Sequence, residues 1–76
     1  MRRRWRDNGA MQIRLNGQAL ALDAPLTIAA LLEREGLGGR RVAVEVNASI
    51  IPRGQHATHV LADGDVVEIV HALGGG

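Results

Sequence analysis

The last four residues of the sequence, Leu73-Gly74-Gly75-Gly76, are the part of the chain best suited to chemistry. A final glycine offers its backbone carboxylate as the reactive group, with no side chain to shield it. Because glycine has no Cβ, it reaches backbone conformations closed to other residues and can pass through narrow channels. Such an ending suits a chain whose terminus enters another enzyme's active site. Chain ends are also often poorly ordered, so the tail alone leaves a frayed terminus equally open.

The composition of the chain excludes several kinds of site. A length of 76 residues with 46% hydrophobic content supports one small globular domain and leaves little room for a buried catalytic cleft. The absence of cysteine excludes disulfides, thiolate metal sites and a cysteine nucleophile. The absence of lysine excludes isopeptide chains built on the protein's own side chains. The small core therefore weighs against an independent enzyme.

Charge is divided between a basic leader and an acidic body. Residues 1–10 hold four arginines against one aspartate, whereas residues 11–76 hold five arginines against seven carboxylates. The leader could contact nucleic acid or anionic lipid, but it lacks the apolar segment of a signal peptide. No stretch is long enough to span a membrane. We expect residues 1–10 to be either a disordered extension or the product of an upstream start codon, with Met11 as the natural first residue. We expect the protein to be cytoplasmic.

The hydrophobic pattern predicts two strands and a helix in the first half of the body. Residues 11–15 alternate apolar and polar side chains, as a half-buried strand does. Asn16-Gly17 is a strong hairpin signal, so residues 19–22 should form the returning strand. Thr27 suits the N-cap of a helix of roughly ten residues, with Gly36 at its C-terminal end.

Three further strands are predicted at residues 42–46, 50–51 and 66–70. An irregular segment with one helical turn fills residues 53–62, and Asp63-Gly64-Asp65 reads as a tight turn. A single helix must then cover one face of a mixed sheet of four to five strands, which makes an α+β two-layer domain over residues 11–71. We expect the first and last strands to pair in the sheet centre. Residues 72–76 would project as a free tail of about 17 Å.

A resemblance to a known family runs through most of residues 11–76. It rests on residues 11–13 with Asn16-Gly17, residues 27–28 with Leu31-Leu32, residues 44–47, Ile50-Ile51-Pro52-Arg53, residues 61–69 and the final Gly75-Gly76. These residues resemble the ubiquitin-like sulfur carriers of the β-grasp fold. The segment Ile51-Pro52-Arg53 and the ending 71–76 look like the ThiS branch of thiamine thiazole biosynthesis. The third glycine and the arginine-rich leader depart from the family pattern.

The resemblance implies a chemistry for the C-terminal carboxylate. An E1-like adenylating enzyme of the ThiF or MoeB type would join Gly76 to AMP, using ATP and Mg that the partner holds. A sulfur from a persulfide donor would then replace AMP and leave a thiocarboxylate for a ThiG-type thiazole synthase. Gly76 would be the covalent attachment point, and Gly74 and Gly75 would give the tail access to partner active sites. Leu73, an apolar residue just before the glycines, has two interpretations that stay open: an anchor for the tail in a partner groove, or simple packing on the domain. The carrier itself would bind no cofactor and would be a monomer when free.

Other functions stay open beside the thiazole carrier. The same mechanism would serve the small subunit of molybdopterin synthase, and a ubiquitin-like modifier would instead conjugate Gly76 to target lysines. A β-grasp module binding RNA through its leader is disfavoured, because Trp5 is the only aromatic residue.

Several polar residues have a structural explanation that we prefer to a functional one. His56 and His59 lie in an irregular stretch with no cysteine nearby, and with His71 they give too few ligands for a zinc site, so we expect no bound metal. We also expect no bound nucleic acid and no membrane. Asp63 and Asp65 are interpreted as turn residues and not as paired acids. Arg53 is interpreted as solvated or locally bonded, with contact to an acidic partner surface as the less favoured alternative.

Overall fold

The computed structural model describes residues 11–71, and every structural statement below refers to them. The elements are β1 (Met11–Leu15), β2 (Gln18–Leu22), α1 (Ile28–Arg34), β3 (Val42–Val46), β4 (Ser49–Ile51), a short 3₁₀ helix (Arg53–Gln55) and β5 (Val66–His71). The predictions made for the leader, residues 1–10, and for the tail, residues 72–76, lie outside this range.

The five strands form one mixed sheet in the order β2-β1-β5-β3-β4. β1 and β5 pair in parallel, with Arg14 opposite Val66, and the other three pairings are antiparallel. The prediction that the first and last strands meet in the sheet is confirmed, and β5 occupies its centre. Parallel pairing requires a long connection between the two strands, and the rest of the chain supplies it.

The core lies between one face of the sheet and α1. Strand residues Ile13, Val44 and Val67 are almost fully buried, and they pack with Ile28 and Leu31 of the helix. Burying each such side chain contributes about 1.5–3 kcal/mol relative to leaving it exposed. The predicted two-layer α+β architecture is confirmed, with a single covered face. The other face of the sheet, here called the open face, carries Arg14, Ala43, Glu45, Ile50, Val66, Glu68 and Val70.

The helix begins where the sequence predicts but is shorter than expected. The Oγ1 atom of Thr27 accepts a hydrogen bond from the backbone N–H of Ala30 at 3.1 Å, which confirms it as the N-cap. The helix has seven residues instead of roughly ten, and Glu35 forms its C-cap. Gly36 follows at φ +77°, the left-handed conformation in which glycine avoids a steric penalty. In residues 11–71 no helix has the length and apolar character to cross a membrane.

Candidate functional site

The described residues end at His71, which is also the last residue of β5. His71 lies opposite Val42, the first residue of β3. The predicted attachment residue Gly76, the access residues Gly74 and Gly75 and the anchor Leu73 all lie outside the described residues. What the structure describes is therefore the platform from which residue 72 continues. That platform is the end of the central strand of the sheet.

The side chain of Asn16 fastens this end of β5 to β1. Its Oδ1 atom accepts a hydrogen bond from the N–H of Ile69 at 2.8 Å, and its own N–H donates to the carbonyl of Val67 at 2.9 Å. Asn16 has φ +48°, so the hairpin turn and the link to β5 come from the same residue. The pairing of the two central strands thus extends beyond the last residue of β1. The strand that leads into the tail is held on both sides.

The opposite end of the sheet is closed by the predicted Asp63-Gly64-Asp65 turn. The carboxylate of Asp63 accepts a hydrogen bond from the N–H of Gln12 at 2.8 Å. The Asp65 carboxylate accepts from the N–H of Ala62 at 2.8 Å and from the side-chain amide of Asn47 at 3.0 Å. Because each carboxylate holds backbone or turn groups, the turn interpretation is confirmed. Neither aspartate lies beside the tail-bearing end of β5.

The three histidines lie in two segments of the fold, His56 and His59 after the short 3₁₀ helix and His71 at the end of β5. His56 is only 8% exposed, and its ring Nε2 lies 3.1 Å from the carbonyl oxygen of Ile51. A carbonyl can only accept, so Nε2 carries the proton in this contact. His59 precedes the isolated bridge between Thr27 and Val60, and His71 ends β5. Among residues 11–71 no group of three or more His, Cys, Asp or Glu side chains could hold a metal ion.

Within residues 11–71 the open face of the sheet carries several exposed apolar side chains. Ile50, Val66 and Val70 are 69%, 42% and 56% exposed. The carboxylates of Glu45 and Glu68 lie between them on β3 and β5, because the two residues are register partners. Exposed apolar side chains grouped on one face are typical of a protein contact site. The open face is therefore the second part of the candidate site, beside the root of the tail.

Sequence reasoning missed several residues that shape the site. It gave no role to the side chain of Asn47, which donates to Asp65 and accepts from the N–H of Val66. It did not foresee that Glu45 and Glu68 face each other, since strand register is needed to align them. It counted Ile50 only as part of a short strand. An alternating exposed pattern in β3 and β5 was the one available signal for the open face.

A mixed five-stranded sheet with a single helix on one face, and a central last strand that leads into a tail, defines a ubiquitin-like β-grasp domain. The chain belongs to the ThiS family, whose model matches residues 12–76. The resemblance stated from the sequence is thereby confirmed.

Individual relatives agree with the family assignment. The sulfur carrier protein ThiS of Escherichia coli is 36% identical over 66 residues, which cover 87% of this chain and 100% of the relative. The crystal structure of thiamine biosynthesis protein ThiS from Geobacter metallireducens superposes with a TM-score of 0.76 at 29% identity, covering 87% of this chain and all of that one. The matched region thus covers the full length of both relatives and 87% of this chain.

A second group of relatives is much longer than the chain. The thiazole synthase of Paramagnetospirillum magneticum is 41% identical over 66 residues, which cover 87% of this chain. The matched region spans only 20% of that thiazole synthase, so the chain corresponds to one part of it. The remaining four-fifths of that relative has no counterpart in this chain.

Proposed function

We propose that the chain is a sulfur carrier protein of thiamine biosynthesis. The observation that carries the proposal is its match, over 87% of its length, to the whole sulfur carrier protein ThiS of E. coli. The fold supports it, because the central strand of the sheet leads into a sequence that ends in Gly74-Gly75-Gly76. The family match favours thiazole over molybdopterin as the destination of the sulfur. The protein would act in the cytoplasm, as a monomer when free.

The reaction centre would be the carboxylate of Gly76. A free carboxylate resists attack, because a nucleophile would have to expel a poor leaving group from an anionic centre. The carboxylate would attack the α-phosphorus of Mg-ATP on an E1-like adenylating enzyme, releasing pyrophosphate and forming an acyl adenylate. The terminal sulfur of a persulfide would then displace AMP. A second thiol would complete the transfer by breaking the sulfur–sulfur bond, which leaves a thiocarboxylate on Gly76 and a disulfide on the donor side.

The carrier's own contribution would be presentation of this group. The body supplies a platform, since β5 pairs with β1 at Val66 and Val67 and with β3 from Val67 to His71. Gly74 and Gly75 would allow the tail to lie flat in a narrow channel, and Leu73 would anchor it at the channel mouth. No step of the chemistry needs a catalytic side chain from the carrier. We therefore regard the protein as a substrate and carrier, with catalysis left to its partners.

The open face would serve as the docking surface for the adenylating enzyme. Ile50, Val66 and Val70 supply exposed apolar area that a partner can cover. Glu45 and Glu68 add negative charge at its middle, which would favour a partner surface bearing arginine or lysine. Docking on this face would hold the root of the tail beside the partner's channel, because the face and the tail share strand β5.

The mass of the intact, untagged protein from its native cell tests the proposal. A sulfur carrier is expected to show, in part of its population, one oxygen replaced by sulfur at the C-terminus. Cells in which thiamine synthesis is switched on should contain more of this form than cells fed thiamine. A C-terminal tag must be avoided, since it would block the reacting group. Only unmodified carboxylate under both conditions would contradict the proposal, and covalent adducts on other proteins would support a protein modifier instead.

A further inference from the structure

A groove of about 230 Å³ lies on the helix side of the domain, away from the open face. One wall is α1 with Glu33, the second is the loop before β3 with Arg40, and the third contains Arg53 and His56. The ring of His56 is fixed by its hydrogen bond to the carbonyl of Ile51. The wall that includes Arg53 is therefore held in place by the sheet.

The size of the groove suits one side chain better than a free metabolite. Sites for small molecules and cofactors usually have volumes of about 300–1,000 Å³ and enclose most of the ligand. This groove is smaller and open on one side. A partner protein could fill it with a single polar side chain while its backbone stays outside. The shape thus indicates a protein contact.

The charge of the groove favours a carboxylate. Arg40 and Arg53 are exposed on two of its walls. Within the described part of the chain neither guanidinium takes part in a hydrogen bond. The Glu33 carboxylate lies against Gly38, where an added Cβ would collide with it. Two arginines and one glutamate leave a net positive groove, and a guanidinium can bind a carboxylate through two parallel hydrogen bonds.

The groove lies close to the root of the tail. Val42 lines the groove and is also the register partner of His71, the last residue of β5. Arg40 lies in the loop before β3, two residues before Val42. A partner that takes up residues 72–76 must approach this end of the domain. The groove is thus positioned to help orient the carrier on that partner.

We propose that this groove receives an acidic side chain of thiazole synthase when the carrier delivers its sulfur, an inference that rests on the proposed function. The partner is chosen because relatives of this chain include thiazole synthases that contain the homologous region within one polypeptide. Arg40 and Arg53 clamp the carboxylate from two walls, and the adenylating enzyme uses the open face instead. The carrier then has a separate contact surface for each partner.

The test measures, by calorimetry, the affinity of the full chain for purified thiazole synthase from the same cell, and compares the wild-type protein with single-residue variants. Arg40→Glu and Arg53→Glu are each expected to weaken binding about fivefold or more, since each replaces attraction by repulsion. Arg34→Glu is the matched control, because Arg34 is exposed on α1 outside the groove and the change in net charge is the same. Its effect should stay below about twofold. Arg53→Met keeps an apolar stem and removes only the charge, so it measures the loss of charge alone. Circular dichroism of every variant shows whether the fold is kept.

Three results would overturn the proposal. Unchanged affinity in folded Arg40→Glu and Arg53→Glu would show that the groove is not used. An equal loss in Arg34→Glu would assign the effect to overall charge. Lower thiocarboxylate loading with unchanged synthase affinity would assign the groove to the adenylating enzyme. The wild-type protein is first checked for thiocarboxylate by mass, so that failure of the carrier function is seen separately from failure of the groove.

Discussion

Glu45 and Glu68 face each other directly across the antiparallel pair β3–β5, in the middle of the open face. Like charges at directly opposed strand positions destabilise a sheet. On its other side Glu45 faces Ile50, the most exposed large apolar residue among residues 11–71. Acidic and apolar groups are therefore combined on one surface at a cost to the stability of the isolated domain. A partner that brings a cation to this surface would remove that cost.

Replacing one of the two glutamates should stabilise the free domain. We expect Glu68→Gln to raise the free energy of unfolding by about 0.2–1 kcal/mol, because it removes a cross-strand repulsion and keeps the side-chain length. Urea denaturation at low ionic strength measures the change. The gain should shrink in high salt, which screens the repulsion in the wild-type protein.

Glu35→Gln provides the comparison for that experiment, because Glu35 is exposed at the C-cap of α1 and has no strand partner. It should leave the stability within about 0.5 kcal/mol of the wild-type value. A Glu68→Gln variant no more stable than wild type at low salt would mean that the two carboxylates do not repel one another.

Asn47→Ala should destabilise the domain. The Asn47 side chain accepts a hydrogen bond from the N–H of Val66 at 2.9 Å and donates one to Asp65 at 3.0 Å. Losing both should lower the free energy of unfolding by about 1–2 kcal/mol. Ser49→Ala, an exposed neighbour at the start of β4, should change it by less than about 0.5 kcal/mol. Equal effects of the two substitutions would show that the Asn47 contacts contribute nothing specific.

Ala48→Gly should have the opposite effect. Ala48 has φ +72°, a left-handed conformation that costs a residue with a Cβ about 1–2 kcal/mol. Glycine removes that cost but loses more entropy on folding, so a net gain of up to about 1 kcal/mol is expected. In Ala57→Gly, at a position outside the left-handed region, only the entropic loss should remain. Thermal unfolding of the two variants should therefore shift in opposite directions, and a shift in the same direction would contradict the prediction.

Gly75→Val should block loading of the tail without affecting the fold. Its Cβ and branched side chain would hinder passage through a channel shaped for glycine. We expect loss of thiocarboxylate formation with the adenylating enzyme, Mg-ATP and a persulfide donor, measured by intact mass. The control is Gly54→Val, because a Cβ added at Gly54 would meet only open space and the residue has no positive φ. Normal loading of Gly75→Val would remove the proposed role of the glycine tail.

Ile50→Ser should weaken binding of the adenylating enzyme to the open face. Ile50 is 69% exposed, so its replacement should leave stability nearly unchanged while reducing apolar contact with the adenylating enzyme. A higher KM for the carrier in the adenylation assay is expected, with little change in kcat. Val60→Ser is the control, since Val60 is 55% exposed but lies beside Thr27, outside the open face. If both variants behave alike, docking does not depend on the open face.

The elements of the fold could be predicted because their signals are local. The alternation in residues 11–15, the Asn16-Gly17 turn and the Thr27 cap each depend on a few neighbouring residues, and the structure confirms them. The length of α1 was overestimated because Glu35 fits the helical period although the chain already turns there. The central place of β5 was predicted from its apolar character. In the structure Val67 and Ile69 are buried on the covered face, whereas Val66 and Val70 are exposed on the open face.

The candidate site was harder to predict, since most of it depends on register. The pairing of Glu45 with Glu68, and of Val42 with His71, joins residues that are 23 and 29 positions apart along the chain. A slip of one residue in either strand would move these side chains to the other face. The groove likewise combines Glu33, Arg40 and Arg53 from three separate segments. The glycine ending, by contrast, could be interpreted directly, because its chemistry is that of the backbone.

The central position of β5 has a consequence for damaged or unfinished molecules. Within residues 11–71, β5 is the only strand that joins the hairpin β1–β2 to the hairpin β3–β4. A chain interrupted before Val66 would therefore lose every strand pairing between the two hairpins and keep only their packing against α1, and an isolated hairpin is at best marginally stable in water. The strand that assembles the domain is also the strand that leads into the tail. Partners that recognise the assembled sheet would thus select for molecules able to carry the reactive group.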